Sequence, residues 1–167
     1  MRVLGIDPGA CGGLALIEDG RLLEALPMPS ERQACSGKRR INATRLSHAV
    51  RSWVAELPID VAYIELVGPM PRDGSAGSFW FGMATGLAHG VCAGLGLRTE
   101  VVAPAVWKRR LDVPSDKRKA RDRASSLFKA GSTRWWPRLK DDGLAEAAMI
   151  GLYGYQKERA GPKGIIW

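Results

Sequence analysis

The chain has 167 residues, of which 46% are hydrophobic and 25% are charged. This length and composition fit one globular domain and exclude a repeat array, a large two-domain ATPase and a globally disordered chain. Residues 98–140 hold 13 Lys or Arg against 4 acids, so this segment carries the whole of the net charge of +8. Such a basic segment indicates a polyanion such as nucleic acid as partner, the alternative being a solvated helix face.

Three scattered cysteines, Cys11, Cys35 and Cys92, show neither a metal-ligand spacing nor a disulfide framework. This usage is typical of proteins in a reducing compartment. A strand-like run begins directly after the first two residues, so we expect no signal peptide and a cytoplasmic protein.

The first third of the chain predicts a β-meander. Apolar runs at 3–7, 13–17 and 21–28 are separated by turn signals, which indicates three successive strands. The polar and basic stretch 30–40 is expected to form a loop. Apolar residues then recur at helical spacing between Asn42, which can cap a helix, and Pro58.

The remainder predicts further strands and helices. Residues 61–67 form a nearly continuous apolar run, typical of a central strand covered on both faces, and a flexible loop is expected at 68–78. Later segments predict a strand at 98–103, a short helix at 104–111, and longer helices at 115–130 and 142–153. This order of elements predicts a mixed sheet with helices on both faces.

Residues 74–97 contain no charged side chain, and the part that follows the expected loop predicts a helix that carries a stripe of glycines at Gly82, Gly86, Gly90 and Gly94. Glycines spaced in this way would suit a transmembrane helix pair. The seven glycines of this stretch make it too weakly hydrophobic to span a membrane. We therefore expect a buried, tightly packed helix of a soluble domain and no membrane partner.

Two acids lie at strand positions where apolar residues are usual. Asp7 ends the first predicted strand, and Glu65 lies within the fourth. If these strands are neighbours, both carboxylates reach one edge of the sheet, where a cation or a proton must relieve their repulsion. Neither strand offers Lys or Arg beside its acid, so a hard divalent ion with oxygen ligands is the simplest answer.

A further group of acids, in the last predicted helix, supports this interpretation. Asp142 and Glu146 are four residues apart and would project from one face of the last helix, while Asp141 could cap that helix or serve as a ligand. Four carboxylates from three elements can hold two Mg²⁺ ions, which activate water and stabilise the leaving oxygen in phosphodiester hydrolysis. The alternative is that the helix acids only interact with the helix dipole.

These motifs, in this order, resemble those of RuvC-type Holliday junction resolvases of the RNase H-like superfamily. The segments that carry the resemblance are residues 5–9 (GIDPG), 63–65 (YIE), 104–108 (PAVWK), 116–117 (DK) and 142–147 (DGLAEA). The resemblance covers residues 1–154 as a nuclease domain and leaves 155–167 as a C-terminal tail. It implies an α/β, RNase H-like fold: a five-stranded mixed sheet whose first three strands form an antiparallel meander, with helices on both faces.

The resemblance also implies a structure-specific DNA endonuclease. Such an enzyme is a homodimer that binds four-way junctions and cuts two strands of like polarity symmetrically, with Mg²⁺ or Mn²⁺ and two ions per active site. The catalytic acids and metal ligands would be Asp7, Glu65, Asp142 and Glu146, with Asp141 as an alternative ligand. Lys108 and Lys117 match catalytic positions near the scissile phosphate. The glycine-striped helix would form the dimer contact, unless its glycines pack on the protein's own sheet.

Some positions depart from the bacterial pattern and look more like phage-borne members, which suggests a bacterial or phage-infected cell. Bacterial sequences show Asp-x-x-Asp in the last helix, whereas Gly143 stands at its first position here and the final acid is Glu. The aromatic residue that follows the fourth-strand acid is replaced by Gly68, Pro69 and Met70. Base unstacking at the crossover is therefore assigned to Met70 or Phe79.

Basic residues near these motifs are expected to contact backbone phosphates, which makes binding strong, tolerant of sequence and sensitive to salt. They are Arg109, Arg110, Lys117, Arg118, Lys119, Arg121 and Arg123. For each of them the alternative is exposure to solvent without contact.

Other functions stay open at this point. Another RNase H-like nuclease, acting on flaps, branched DNA or RNA–DNA hybrids, would share the acids. A non-catalytic junction-binding module would keep only the basic segment. An actin-like phosphotransferase opens with a similar GIDPG motif, but the single-domain length disfavours it.

Overall fold

The structure, a computed structural model, describes residues 1–34, 36–66, 68, 74–128 and 132–161. Its strands are β1 (Arg2–Asp7), β2 (Gly13–Glu18), β3 (Arg21–Pro27), β4 (Ser30–Arg32), β5 (Arg39–Ile41), β6 (Val61–Glu65) and β7 (Thr99–Val102). Its helices are α1 (Ala43–Glu56), α2 (Gly74–Gly94), α3 (Pro104–Arg110), α4 (Lys117–Phe128), α5 (Ser132–Trp135) and α6 (Asp142–Arg159), and a 3₁₀ turn, Leu139–Asp141, precedes α6.

The main sheet has five strands in the order β3-β2-β1-β6-β7. β1, β2 and β3 pair antiparallel in succession, and β6 lies parallel to both β1 and β7. The predicted mixed sheet with an antiparallel meander is therefore confirmed. β1 and β6 are neighbours, and each has a further strand on its other side, so both are central. Every residue of β6 is buried.

Helices cover both faces of this sheet, as predicted. On one face, Leu4 and Ile6 of β1 pack in a cluster with Leu46 and Val50 of α1 and with residues of α2. On the other face, Val3 packs in a second cluster dominated by α6, together with residues of α3 and α4. The alternation along β1 follows from the two-residue period of a strand, which sends successive side chains to opposite faces.

Close packing of α6 on β1 brings the start of that helix over the edge of the sheet. A Cβ on Gly5 would overlap backbone atoms of Ala147 and Gly151, so the two backbones meet without an intervening side chain. Glycine is the residue that permits such an approach. The packing therefore fixes the position of the first turns of α6, which carry Asp142 and Glu146.

The structure differs from the sequence-based expectations in the segment 30–41. The expected loop contains a small hairpin in which β4 and β5 pair antiparallel, with Ser30 opposite Ile41. Asn42 then caps α1 as predicted, since its side chain accepts from the backbone N–H of Arg45. The last helix is also longer than predicted, continuing to Arg159.

Helix α2 corrects two predictions. It begins at Gly74, inside the predicted loop, and Ala88 and Cys92 are the residues that it buries, so it is not a tightly packed core helix. A Cβ added at any glycine of its stripe would meet no atom within 4 Å. The glycines therefore do not pack on the protein's own sheet but line an open face.

Over the ranges that the structure describes, no helix combines the length and the hydropathy that crossing a bilayer requires.

Candidate active site

The site begins where two parallel central strands end side by side. Ile6 of β1 pairs with Ile64 of β6, and the next residue of each strand is an acid, Asp7 and Glu65 respectively. Because the strands run parallel, both carboxylates emerge at the same edge of the sheet. The two residues retain only 9% and 7% of their accessible surface.

Asp7 is the most perturbed acid of the site. Its pKa is raised from 3.8 to about 7, first by burial and then by the negative charges of Glu65, Glu146 and Asp142, against the lowering effect of the Gly9 N–H. That N–H donates to Asp7 Oδ1 at 2.9 Å. Asp7 therefore lies at the centre of the group of carboxylates, and a proton or a cation is needed to neutralise it near neutral pH.

Glu65 is held by a tryptophan from α3. Trp107, which is fully buried, donates from Nε1 to Glu65 Oε1 at 3.0 Å. Burial raises the pKa of Glu65, the indole N–H opposes that rise, and the charge of Glu146 adds to it. The carboxylate is thus fixed in orientation while one of its oxygens receives no hydrogen bond from Trp107.

The other two acids come from the first turns of α6, and each pairs with a lysine. Lys108 Nζ donates to Glu146 Oε1 at 3.0 Å, and Lys117 Nζ donates to Asp142 Oδ2 at 2.6 Å. The Asp142 carboxylate raises the pKa of Lys117, with smaller contributions from Glu146 and Asp7. The structure therefore brings all six residues that the sequence assigned to catalysis to one place.

Asp141 pairs with an arginine and not with one of the two lysines. Its carboxylate accepts from the backbone N–H of Arg138 at 2.9 Å and from the Arg138 guanidinium at 2.9 to 3.2 Å. This arginine holds the pKa of Asp141 below its usual range. Asp141 thus stabilises the turn that leads into α6, and Asp142 is the residue that lies near Asp7.

The donor set fits a hard divalent cation. All of its potential ligands are carboxylate oxygens, and burial together with the charges of the neighbouring acids raises the pKa of Asp7 and Glu65. No three Asp, Glu, His or Cys side chains in the described ranges are already arranged around a single metal position. Lys108 and Lys117 pair with two of the acids, and their ammonium groups supply positive charge beside the carboxylates.

The predicted phosphate-binding arginines and lysines fall into different surroundings. Arg118 and Lys119 are exposed on α4, next to Lys117. Arg123 instead donates to the carbonyl of Leu111 at 2.8 Å, which ties α4 to the end of α3, and Arg121 is half-buried on the same helix.

Arg109 and Arg110 lie further from the acids. They line a groove of about 620 Å³ with Tyr153 and Gln156 of α6. Tyr153 is seven residues beyond Glu146, which is about 10 Å along a helix axis. These two arginines therefore belong to a surface beside the C-terminal half of α6.

Of the two residues assigned to base unstacking, Met70 lies outside the described residues. Phe79 is on α2 with 63% of its surface exposed, and its ring meets that of Trp80 edge to face at 5.2 Å. It lies on the same open side of the helix as the glycine stripe, since positions 79, 82, 83 and 86 recur at helical spacing.

Two contributors to the site were missed by the sequence analysis. Trp107 stood within the family-like segment 104–108, but nothing in its local pattern shows that its indole reaches an acid 42 residues away. Arg138 lies in the basic segment 98–140, whose charge alone does not indicate a structural pairing. The spacing Arg-x-x-Asp before a helix is the signal that could have identified its pairing with Asp141.

Comparisons with known proteins agree with this architecture. No protein-family model matches the chain, and no curated protein sequence matches it significantly. Among solved structures, Thermus thermophilus RuvC in complex with a Holliday junction substrate superposes with a TM-score of 0.69 at 20% identity, over 96% of each chain. Thermus thermophilus RuvC alone gives a TM-score of 0.69 at 20% identity, over 97% of this chain and 98% of that one. The chain therefore has the RNase H-like fold of RuvC, as its sequence motifs predicted.

Proposed function

We propose that this chain is a divalent-metal-dependent endonuclease that resolves four-way DNA junctions by paired, symmetric nicks. One observation carries the proposal: carboxylates from β1, β6 and α6 converge, beside Lys108 and Lys117, at the edge of a sheet with the fold of RuvC. The RuvC of one superposed structure is bound to a Holliday junction substrate. The nuclease domain would span residues 1–154, and DNA would be met in the cytoplasm of a bacterial or phage-infected cell.

The metal would be held by Asp7, Glu65, Asp142 and Glu146. Bound Mg²⁺ or Mn²⁺, as a pair of ions, supplies an activated water and stabilises the leaving oxygen of the phosphodiester. The raised pKa of Asp7 means that cation binding competes with a proton at this carboxylate near neutral pH. Trp107 holds Glu65 so that little reorientation is needed.

Lys108 and Lys117 would bind phosphate when DNA is present. Lys108 and Lys117 neutralise Glu146 and Asp142 in the structure, and their flexible stems allow them to exchange a carboxylate for a phosphate oxygen. Their ammonium groups would then hold the scissile phosphate against the acids. Because Lys117 begins α4, the exposed Arg118 and Lys119 of its first turn would contact neighbouring phosphates.

A homodimer through α2 fits the open glycine face. Gly86 and Gly90 have no neighbour that a Cβ would touch, and Phe79 and Met83 expose 63% and 42% of their surfaces beside them. An exposed apolar face with small residues allows a second copy of the helix to approach closely. A two-fold dimer would set two active sites against two strands of a junction, which is itself two-fold symmetric.

A panel of substrates tests the proposal. The purified protein with Mg²⁺ is expected to cut a synthetic four-way junction in two symmetry-related strands, and to leave linear duplex of the same sequence intact. A flap and an RNA–DNA hybrid, each labelled on every strand, distinguish other RNase H-like nucleases. Preferential cleavage of the flap or the hybrid, or junction binding without any cleavage, would contradict the proposal.

A further inference from the structure

A groove of about 540 Å³ lies between the β4–β5 hairpin and α2. Its lining includes Gly9, whose N–H donates to Asp7, and Lys117, which donates to Asp142. The groove therefore borders the residues that hold two of the site's acids. Its volume falls within the range of about 300–1,000 Å³ that is typical of sites for small ligands or single nucleotides.

The hairpin wall of the groove is held in place by two arginines. Arg40 stacks its guanidinium 3.9 Å from the centroid of the Trp80 ring, which fastens the hairpin to α2. Arg39 donates to both the hydroxyl and the carbonyl of Ser30, each at 3.0 Å, and so ties the two hairpin strands together. Specific side-chain contacts therefore hold the hairpin together and fix it against α2.

The two walls differ in chemistry. The β4–β5 hairpin contributes Lys38 and Arg40, and the start of α4 contributes Lys117. Helix α2 contributes Trp80, Phe81 and Leu87. None of the described residues that line the groove is acidic. A ligand that complements such a groove carries negative charge along one side and flat apolar surfaces along the other.

We propose that this groove binds an unpaired DNA strand next to the site of cleavage. The phosphates would face the basic residues of the hairpin and of α4, and the bases would face the apolar side of α2. Aromatic side chains there accept any base, because every base has a π-face. Bases in a duplex do not offer those faces, so only strand separated at a branch point can enter. This inference rests on the proposed function, since it concerns the substrate of that same site.

Binding of a short fluorescent oligothymidylate, followed by anisotropy in EDTA, tests the groove without requiring cleavage. We expect Trp80→Ala to weaken binding about fivefold or more, and Trp80→Phe to restore most of the affinity. Lys38→Ala should lower the slope of log K against log salt by about 0.7. Arg21→Ala is the matched control, because Arg21 is exposed at the opposite end of the sheet and should change neither quantity.

A second measurement uses the wild-type groove. Cys11 is exposed and lines it, so a thymidine oligonucleotide carrying an activated disulfide on one base should form a mixed disulfide at Cys11 faster than a fully duplex copy. Cys11→Ser should lose that fast cross-link. Equal rates for the single strand and the duplex would overturn the inference.

The outcomes separate the inference from the proposed function. If the wild type cuts junctions and all groove variants bind oligothymidylate as the wild type does, the groove assignment is wrong and the function stands. If junctions are not cut but Trp80→Ala and Lys38→Ala lose single-strand binding, the function is wrong and the groove assignment stands. Thymidine monophosphate that competes as well as the oligonucleotide at equal concentration would also overturn the assignment of a strand.

Discussion

Gly143 at the start of α6 lies against Gly12 in the turn between β1 and β2. A Cβ on Gly143 would overlap the Cα of Gly12 and the carbonyl of Cys11. No side chain, and so no acid, can occupy this position without moving the turn. The contact gives a physical reason for the departure from Asp-x-x-Asp: the acid stands one residue earlier, at Asp142, where it pairs with Lys117.

Gly143→Ala should therefore destabilise the fold. Forcing a methyl group into close backbone packing typically costs about 1–3 kcal/mol. We expect a lower midpoint in urea unfolding with an unchanged slope, which denotes lost stability and not a changed unfolded state. Gly68→Ala is the control, because a Cβ at this exposed glycine meets nothing within 4 Å. Equal midpoints for the two variants would contradict the packing argument.

Asp141 and Asp142 are expected to have different roles, Asp142 in catalysis and Asp141 in stability. Asp142→Asn is expected to lower the rate of junction cleavage about a hundredfold or more, because it removes a charged oxygen donor from the metal site. Asp141→Asn should lower the melting temperature, since it weakens the pairing with Arg138, while the folded protein keeps a rate within a few-fold of the wild type. Cleavage rates and thermal melts of both variants check this, and a reversed order of rates would make Asp141 the ligand.

The raised pKa of Asp7 predicts how stability depends on pH without metal. In the folded protein Asp7 keeps its proton up to about pH 7, whereas the unfolded chain loses it near 3.8. The folded state thus binds more protons between these values, so the free energy of unfolding falls as pH rises through this window. Between pH 5 and pH 8 this single group accounts for roughly 2–3 kcal/mol.

Asp7→Asn removes that titration and isolates its effect. In urea unfolding with EDTA, the variant should gain stability over the wild type as pH rises from 5 to 8. Added Mg²⁺ should stabilise the wild type at pH 8 and have a smaller effect on the variant, because a ligand of the folded state raises its stability. Stability curves of the two proteins that stay parallel across the pH range would show that Asp7 is not protonated in the fold.

The open face of α2 predicts an effect on assembly. Gly90→Arg should convert a dimer into a monomer in light scattering, because a long charged side chain prevents a second backbone from approaching. The circular dichroism spectrum should not change, since a Cβ at Gly90 meets only open space. Glu56→Arg, an exposed change on α1, is expected to leave the dimer intact. A dimeric Gly90→Arg protein would place the interface elsewhere.

Local patterns were sufficient to predict the sheet. The alternation of apolar runs and turns predicted the meander, and the unbroken apolar run of β6 predicted a central strand; both are confirmed. The predictions were wrong where tertiary contacts decide. The hairpin at 30–41 lacks an apolar alternation, and its pairing depends on Arg39 and Ser30 and on the stacking of Arg40 on Trp80.

The site shows the same division. Two acids at strand ends and a helical pair were visible as unusual residues, and the order of the motifs predicted which elements would meet. The bond from Trp107 to Glu65 was not predictable, because it depends on the path of the chain between distant elements. Likewise, the burial of α2 was predicted wrongly because composition alone does not show which helix face lacks a partner.

The most direct test of the account is the behaviour of Asp7→Asn on a four-way junction. The wild type with Mg²⁺ should cut the junction, and the variant should not cut it at any Mg²⁺ or Mn²⁺ concentration, since the central carboxylate is lost. Junction affinity in EDTA should be equal in the variant near pH 7 and slightly higher above it, where Asn replaces an ionised carboxylate, because Lys108, Lys117 and the basic residues of α4 are unchanged. Cleavage by Asp7→Asn at a rate near that of the wild type would contradict the assignment of the metal site.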